Sequence, residues 1–317
     1  MSKRTFYRIA SFFVCIILVI PALTSCFESR SAEPALWRVS DGDGNIMYVM
    51  GSIHIGEESM YPFDDRVLNA FNECDYLAVE YDVIASEKAS ENMTQQESLE
   101  YLSRFMYKNG DTIKDHLSEA TYSSAVAYLK ECGVYSEQMD FLVPAFWSSM
   151  ISSLVTEQSG YLTDYGVDRA FINMANDAGK GILEIESENE QIELMLSFDD
   201  IVYDDSISEI LASRQQVGMQ YAYMIDLWKR GREDLLDTLT NGTSSLFSGD
   251  EDSDYAKAYE AYNKAMVDDR NVYMAQKADS YFNEGKKVFF VVGAAHVCGD
   301  GGIIELLKDM GYTAERV

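Results

Sequence analysis

IMYVMGSIHIG, residues 46–56, and VFFVVGAAHVCG, residues 288–299, decide how this chain is read. In each, an apolar, strand-like run ends in a glycine, and a histidine follows three positions after it: Gly51 with His54, and Gly293 with His296. The whole chain has only three histidines. Glycine lets the backbone turn sharply or pass close to a ligand. Neutral imidazole is a common metal ligand and the usual acid or base near pH 7. A single instance would read as an ordinary strand-end histidine. Two copies of one pattern, each where a strand gives way to a loop or helix, point to the carboxyl ends of strands, where α/β folds bind ligands.

Outward from these runs, Leu36–Val39 reads as a strand, Asp41–Asn45 as a tight turn, and 46–55 as its hairpin partner. Pro62 and Asp64 precede a helix start at Val67–Phe71, and Tyr76–Glu80 is again apolar and β-prone. Strand, helix, strand is the order of an α/β layer. Residues 86–240 are largely helical by spacing, with segments at 95–107, 121–131, 144–158, 164–178 and 207–228. A short strand at 181–186 interrupts them. Residues 240–254, including SSLFSGDEDSD, are loop-like, and 255–284 reads as one helix. The strand 288–292, a helix over 302–310 and a last edge strand at 312–317 close the chain. The expected fold is a single α/β domain: a small mixed central sheet flanked by helices, with a largely helical insertion.

The first 26 residues stand outside that domain. Lys3, Arg4 and Arg8 precede an apolar run from Ile9 to Leu23, and Leu23-Thr24-Ser25-Cys26 closes it. Charge, length and small-residue end make this a secretory signal, shorter than the roughly 20 apolar residues a spanning helix needs. The last four residues resemble a bacterial lipobox, which implies cleavage before Cys26 and lipid on its sulfur. An uncleaved anchor is the other reading. Both export the domain and tether it to a membrane, with residues 27–35 as the tether and 36–317 as the domain.

With 25 Lys and Arg against 53 Asp and Glu, the formal net charge is −28. Such a surface repels nucleic acid and anionic lipid. The glycines Gly299, Gly301 and Gly302 run into a helix start and form a generic anion cradle, but no G-x-G-x-x-G fingerprint or Walker lysine is in place. Nucleic acid and nucleotide are therefore excluded as partners. Cys74, Cys132 and Cys298 share no metal or disulfide spacing. Only Cys298, two residues after His296, has any claim on chemistry.

The acids that could join the histidines are Glu80, at the end of an apolar strand, and one or two of Glu184, Glu186, Glu188 and Glu190, among which periodicity does not choose. Two histidines with one or two carboxylates suit a zinc-, manganese- or iron-type site. No H-E-x-x-H is present. Arg270 follows Asp268 and Asp269 at a helix start and is suited to clamp a carboxylate or carbonyl oxygen. His116 has neither the glycine nor the strand and is left out.

LWRVSDGDGNIMYVMGSIHIG (36–56), YLAVEYD (76–82), YGVDRAFINMANDAGKGILEIESENEQ (165–191) and the stretch from Arg270 to Tyr312 together resemble the TraB/GumN-type family. That family also includes the TIKI membrane-associated metalloproteases and pheromone-shutdown proteins. The resemblance implies that the two Gly-x-x-His motifs converge, with family-type polar positions at Gly51, His54, Glu80, Glu186, Arg270, Gly293 and His296. It favours Glu186 over Glu184, through the spacing to Gln191. For some relatives it implies peptide cleavage that depends on a divalent metal, with manganese or cobalt; other kin are esterase-like or haem-binding. His296-Val297 stands where His-Leu is more usual.

The expectation is a membrane-tethered, extracytoplasmic hydrolase acting on a peptide or protein substrate. His54 and His296 would ligate a divalent ion (Mn, Co or Zn), Glu80 or Glu186 would complete the shell, and the other glutamate would activate water. Arg270 would steady the oxyanion. The alternatives are a non-catalytic lipoprotein holding haem or a small molecule in the same cleft, and an envelope scaffold, which predicts histidines far apart.

Overall fold

The structure, a computed structural model, describes residues 32–240 and 253–317. The signal segment with Cys26, and most of the loop expected at 240–254, lie outside the described residues. Six strands form one sheet: β1 (Leu36–Ser40), β2 (Ile46–Ser52), β3 (Tyr76–Val79), β4 (Gly181–Glu184), β5 (Val288–Gly293) and β6 (Thr313–Arg316). Their spatial order is β4-β3-β5-β2-β1-β6. β4, β3, β5 and β2 are parallel neighbours, whereas β1 runs antiparallel to both β2 and β6. The sheet is mixed, as expected.

The hydrophobic pattern explains the layering. In β5 every residue from Val288 to Val292 is buried, because the strand lies inside the sheet with both faces covered. Phe289 and Val291, with Tyr48, Met50 and Leu77, face one core cluster. Val288, Phe290 and Val292, with Met47, Val49 and Ala78, face the other. Strand period two sorts these side chains.

The helices are α1 (Asp65–Glu73), α2 (Val83–Glu91), α3 (Gln95–Ser103), α4 (Glu119–Glu131), α5 (Pro144–Ser159), α6 (Val167–Ala178), α7 (Glu188–Leu196), α8 (Asp200–Ser213), α9 (Val217–Lys229), α10 (Glu233–Thr240), α11 (Asp254–Asn263), α12 (Asp269–Asn283), α13 (Ala294–Val297) and α14 (Ile303–Asp309). α1, α6 and α9 supply the first cluster, while α12 and α14 supply the second. α4, α5, α8 and neighbouring segments bury a third cluster around Trp147, Ile151 and Tyr221, which forms the core of the helical insertion.

Several expected boundaries shift. The helix expected over 207–228 is two helices, α8 and α9, with a turn at 214–216. The helix expected over 255–284 is broken by a π-helical segment, Lys264–Asp268, directly before α12. The strands expected at 46–55 and 181–186 end at Ser52 and Glu184. Residues 32–35 of the expected tether are packed on the domain: Ala32 is fully buried, it bridges to Phe63, and Glu33 N–H donates to the Lys229 carbonyl (2.8 Å).

Candidate functional site

Four parallel strands end on one edge of the sheet, and each delivers a polar side chain just past its last residue. From the outer strand inward these are Glu186 after β4, Glu80 after β3, His296 after β5 and His54 after β2. Register fixes the arrangement: Val79 lies opposite Val291 and Glu184, and Ser52 lies opposite Gly293. Beyond the strands, Glu186 N–H still donates to the Glu80 carbonyl (2.8 Å), which holds the two acids side by side. Glu184 and Glu186 share a face if strand alternation continues, but Glu186 turns inward and is 8% exposed. Glu184 stays outside, accepting the Asp82 N–H (2.9 Å).

Arg270, in the first turn of α12, reaches across this edge. Its Nε donates to Glu186 Oε1 (2.8 Å), and Nη2 donates to Glu186 Oε2 (2.7 Å) and Glu80 Oε2 (2.7 Å). Nη1 donates to the Met266 carbonyl (3.3 Å), inside the π-helical segment, and contacts His296 Nε2 (3.1 Å). The side chain is 11% exposed. Burial alone would lower its pKa, but Glu186 and Glu80 raise it further, so the guanidinium stays charged. Gln191, on α7, donates one amide group to both acids, at 3.1 Å from Glu80 and 2.9 Å from Glu186. Glu80 Oε1 accepts the Gly293 N–H (2.7 Å). Burial would raise the Glu80 carboxyl, yet the nearby His54, Arg270 and His296 hold it down at about 2.

The two imidazoles are held differently. A guanidinium only donates, so His296 Nε2 is the acceptor of its contact with Arg270. The proton therefore sits on Nδ1, which donates to Asn271 Oδ1 (2.7 Å). His296 is 5% exposed, and burial, with Arg270 beside it, keeps it neutral with a pKa pushed down to about 4 against the pull of Glu80 and Glu186. His54 Nδ1 instead donates to Asp168 Oδ1 (3.0 Å), and 61% of its side chain remains accessible. Partial desolvation of the ring opposes charge, but Asp168, through charge and hydrogen bond, outweighs it together with Glu80 and lifts His54 to about 9. The two rings meet over Gly293. A Cβ placed there would lie 3.2 Å from Glu80 Oε1, 3.5 Å from His296 Cδ2 and 3.9 Å from His54 Nε2.

Both motif glycines serve close approach. At Gly51 a Cβ would lie 2.8 Å from the Ala294 Cα, so β2 and α13 touch there without a side chain between them. The other sequence candidates fall elsewhere. Cys298, half-buried, lies beside Glu233 and Trp37, and burial, with Glu233 next, pushes its thiol up; a protonated thiol is a poor nucleophile. His116 is bonded to Asp200 and Asp111 and stacks on Tyr107. In the glycine loop, the Gly301 N–H is taken by Glu305 (2.6 Å), so the anion cradle is already filled. Asp168 and Asn271 are the site residues that reading from sequence missed; Gln191 entered it only through its spacing to Glu186.

Two imidazoles and two carboxylates are the donors a divalent ion prefers, but three of the four already face protein donors. Glu186 gives both oxygens to Arg270. Glu80 gives one to Arg270 and Gln191 and the other to Gly293, and His296 Nε2 faces Arg270. Among the described residues, no group of three or more His, Cys, Asp or Glu side chains is placed to hold a metal ion. The shell expected from His54, His296 and a glutamate is thus not assembled. The guanidinium of Arg270 stands where the cation would, and these residues as arranged do not fit a divalent ion.

A mixed sheet whose parallel strands end in a buried cluster of charged groups defines an α/β protein with a polar site at the carboxyl edge. The chain matches the TraB/PrgY/gumN family over residues 35–316 and belongs to that family. It is 26% identical over 154 residues to the uncharacterized protein YbaP of Escherichia coli (strain K12), and to that of Shigella flexneri. Each match covers 48% of this chain and 53% of the relative, so the match spans about half the length of those relatives. An uncharacterized protein of Treponema pallidum (strain Nichols) is 32% identical over 82 residues, 23% of this chain and 24% of its own. No solved structure matches.

Proposed function

We propose that the chain is a hydrolase of carbonyl-centred bonds, with peptides as its substrate class, tethered to a membrane outside the cytoplasm. The observation that supports it is the meeting of His54 Nε2, Glu80 Oε1 and the His296 ring within 4 Å of one point over Gly293. Two groups there have opposite protonation, an imidazolium at His54 and a carboxylate at Glu80, which is the pairing an acid–base hydrolysis uses. Glu80 takes the proton of the attacking water, and His54 gives its Nε2 proton to the leaving amine. At rest Glu80 is a weak base, because the His54 charge holds it low. Arg270 holds Glu80 low as well, so Glu80 orients the water and takes its proton only as the new C–O bond forms. Arg270 keeps Glu186 and Glu80 together, and His296 stays neutral as a wall of the site.

A cavity of about 300 Å³, lined by Glu186, Gln191, Leu194, Asp269, Arg270 and Tyr273, opens beside this cluster and gives a peptide a place to lie. Substrate class and envelope location rest on the family resemblance and on residues 1–26. The metal-dependent form of the reaction requires Arg270 to yield its place.

The test is cleavage of a mixed-peptide library by the full chain, alone and with manganese, cobalt or zinc, beside His54→Ala and Glu80→Gln. Cleavage that both substitutions abolish supports the reading. No cleavage under any condition overturns it and returns the chain to the haem, small-molecule or scaffold readings. Lipid labelling of the parent and of Cys26→Ala tests the tether: label that persists in the variant refutes lipidation at Cys26.

A further inference from the structure

The structure assigns Asp168 as the positioning residue of the site: we infer that it holds the exposed imidazole of His54 with Nδ1–H toward α6 and Nε2 toward Glu80 and Gly293. This rests on the hydrolase reading only for its kinetic consequence. His296 needs no such help, since it is 5% exposed and packed in place. His54 lies on a loop past the end of β2 with 61% of its side chain accessible, and a side chain so open samples several rotamers unless a partner fixes it.

The surrounding backbone shows a seat built for that partner. Val167 N–H donates to the Ile53 carbonyl (2.9 Å), and Gly56 and Leu162 exchange both backbone hydrogen bonds (3.0 and 3.1 Å). At Gly166 a Cβ would lie 2.8 Å from the His54 carbonyl oxygen, so only glycine lets the start of α6 approach this closely. These contacts bracket the His54 loop and the first turn of α6 against each other. Asp168 projects from that turn, 13% exposed, with its Oδ1 on His54 Nδ1. A carboxylate accepts and never donates, so the nitrogen that faces it carries a proton. An acceptor behind an imidazole is the usual device for presenting the other nitrogen.

The experiment uses the full chain in detergent micelles with ¹⁵N-labelled histidine; three histidines are few enough to assign with single His→Ala variants. The parent should show a low-field Nδ1 proton on His54 that Asp168→Ala loses, while the His296 signals stay in place. In peptide cleavage, kcat of Asp168→Ala should fall about 10–100-fold with KM nearly unchanged. Asp168→Glu, whose longer carboxylate still reaches the ring, should recover part of both signals. A parent without the low-field proton overturns the assignment. So does an Asp168→Ala spectrum identical to the parent's, or a loss in Asp168→Ala that falls on KM with kcat intact. If the parent cleaves no peptide, the hydrolase reading fails, and the spectra alone decide the role of Asp168.

Discussion

Replacing Arg270 by methionine removes the cation bonded to both glutamates and leaves two carboxylates facing each other, 8% and 12% exposed. Breaking a buried pair from one side costs about 3–5 kcal/mol, because the remaining charge is stranded. A second estimate comes from Glu80, held at about 2 against an ordinary 4.5. At about 1.36 kcal/mol per pH unit, that is about 3 kcal/mol of stability at neutral pH, an upper bound for Arg270, since His54 and His296 share in it. A depressed carboxyl stabilises above its unfolded value, here above 4.5, and the contribution is lost as pH falls toward 2. Arg270→Met should therefore be less stable than the parent by about 3 kcal/mol at pH 7, and the gap should narrow below pH 4.5. Urea unfolding at pH 7 and pH 3 measures both. Arg270→Lys keeps the charge but loses the fork and should fall between them. Equal midpoints at pH 7, or a gap that does not change with pH, would refute the reasoning.

Two glycines separate packing from chemistry. Gly51→Ala would drive a Cβ to 2.8 Å from the Ala294 backbone and should cost about 1–3 kcal/mol in urea unfolding; a neutral effect contradicts the close-approach argument. Gly293→Ala meets side-chain rather than backbone atoms, none nearer than 3.2 Å, so it should unfold within about 1 kcal/mol of the parent yet lose cleavage by crowding Glu80. Intact cleavage in that variant would place the reaction elsewhere.

Strand-end chemistry was legible in the sequence because a buried strand is a run of apolar residues and its end is abrupt. VFFVV before Gly293 and IMYVM before Gly51 announce both, and Glu80 stands out against the apolar residues before it. Glu186 was not separable from Glu184 by period two: β4 stops at Glu184, Ile185 tucks into the core at 1% exposure, and the alternation ends there. The π-helical segment was invisible because the apolar spacing of 255–284 carries no proline or glycine before Gly285 to mark the break. Asp168, Asn271 and Gln191 come to the site from helices, Asp168 from 114 residues beyond His54. Polar residues in a first helical turn are ordinary, and only the pairing of strands brings Asp168 to His54, Asn271 to His296 and Gln191 to the two glutamates. The adjacency of Asn271 to Arg270 and the spacing of Gln191 from Glu186 were the local signs available.

The same geometry explains why a divalent ion has no free place and predicts where one would go. Arg270 saturates Glu186 and one oxygen of Glu80 and faces His296 Nε2. A dication in that position would meet a guanidinium about as close as its own ligands, a repulsion that low dielectric magnifies. Remove the guanidinium, and two carboxylates and a neutral imidazole converge with nothing between them, a donor set suited to manganese, cobalt or zinc. Arg270→Met should therefore take up more divalent ion than the parent in equilibrium dialysis and elemental analysis of the full chain. Binding to the folded state should also restore part of the stability lost at pH 7. Glu80→Gln in the same background should abolish both gains. The opposite outcome, a parent that holds near-stoichiometric metal and an Arg270→Met variant that loses it while still folded, would mean that Arg270 supports an ion rather than replacing one.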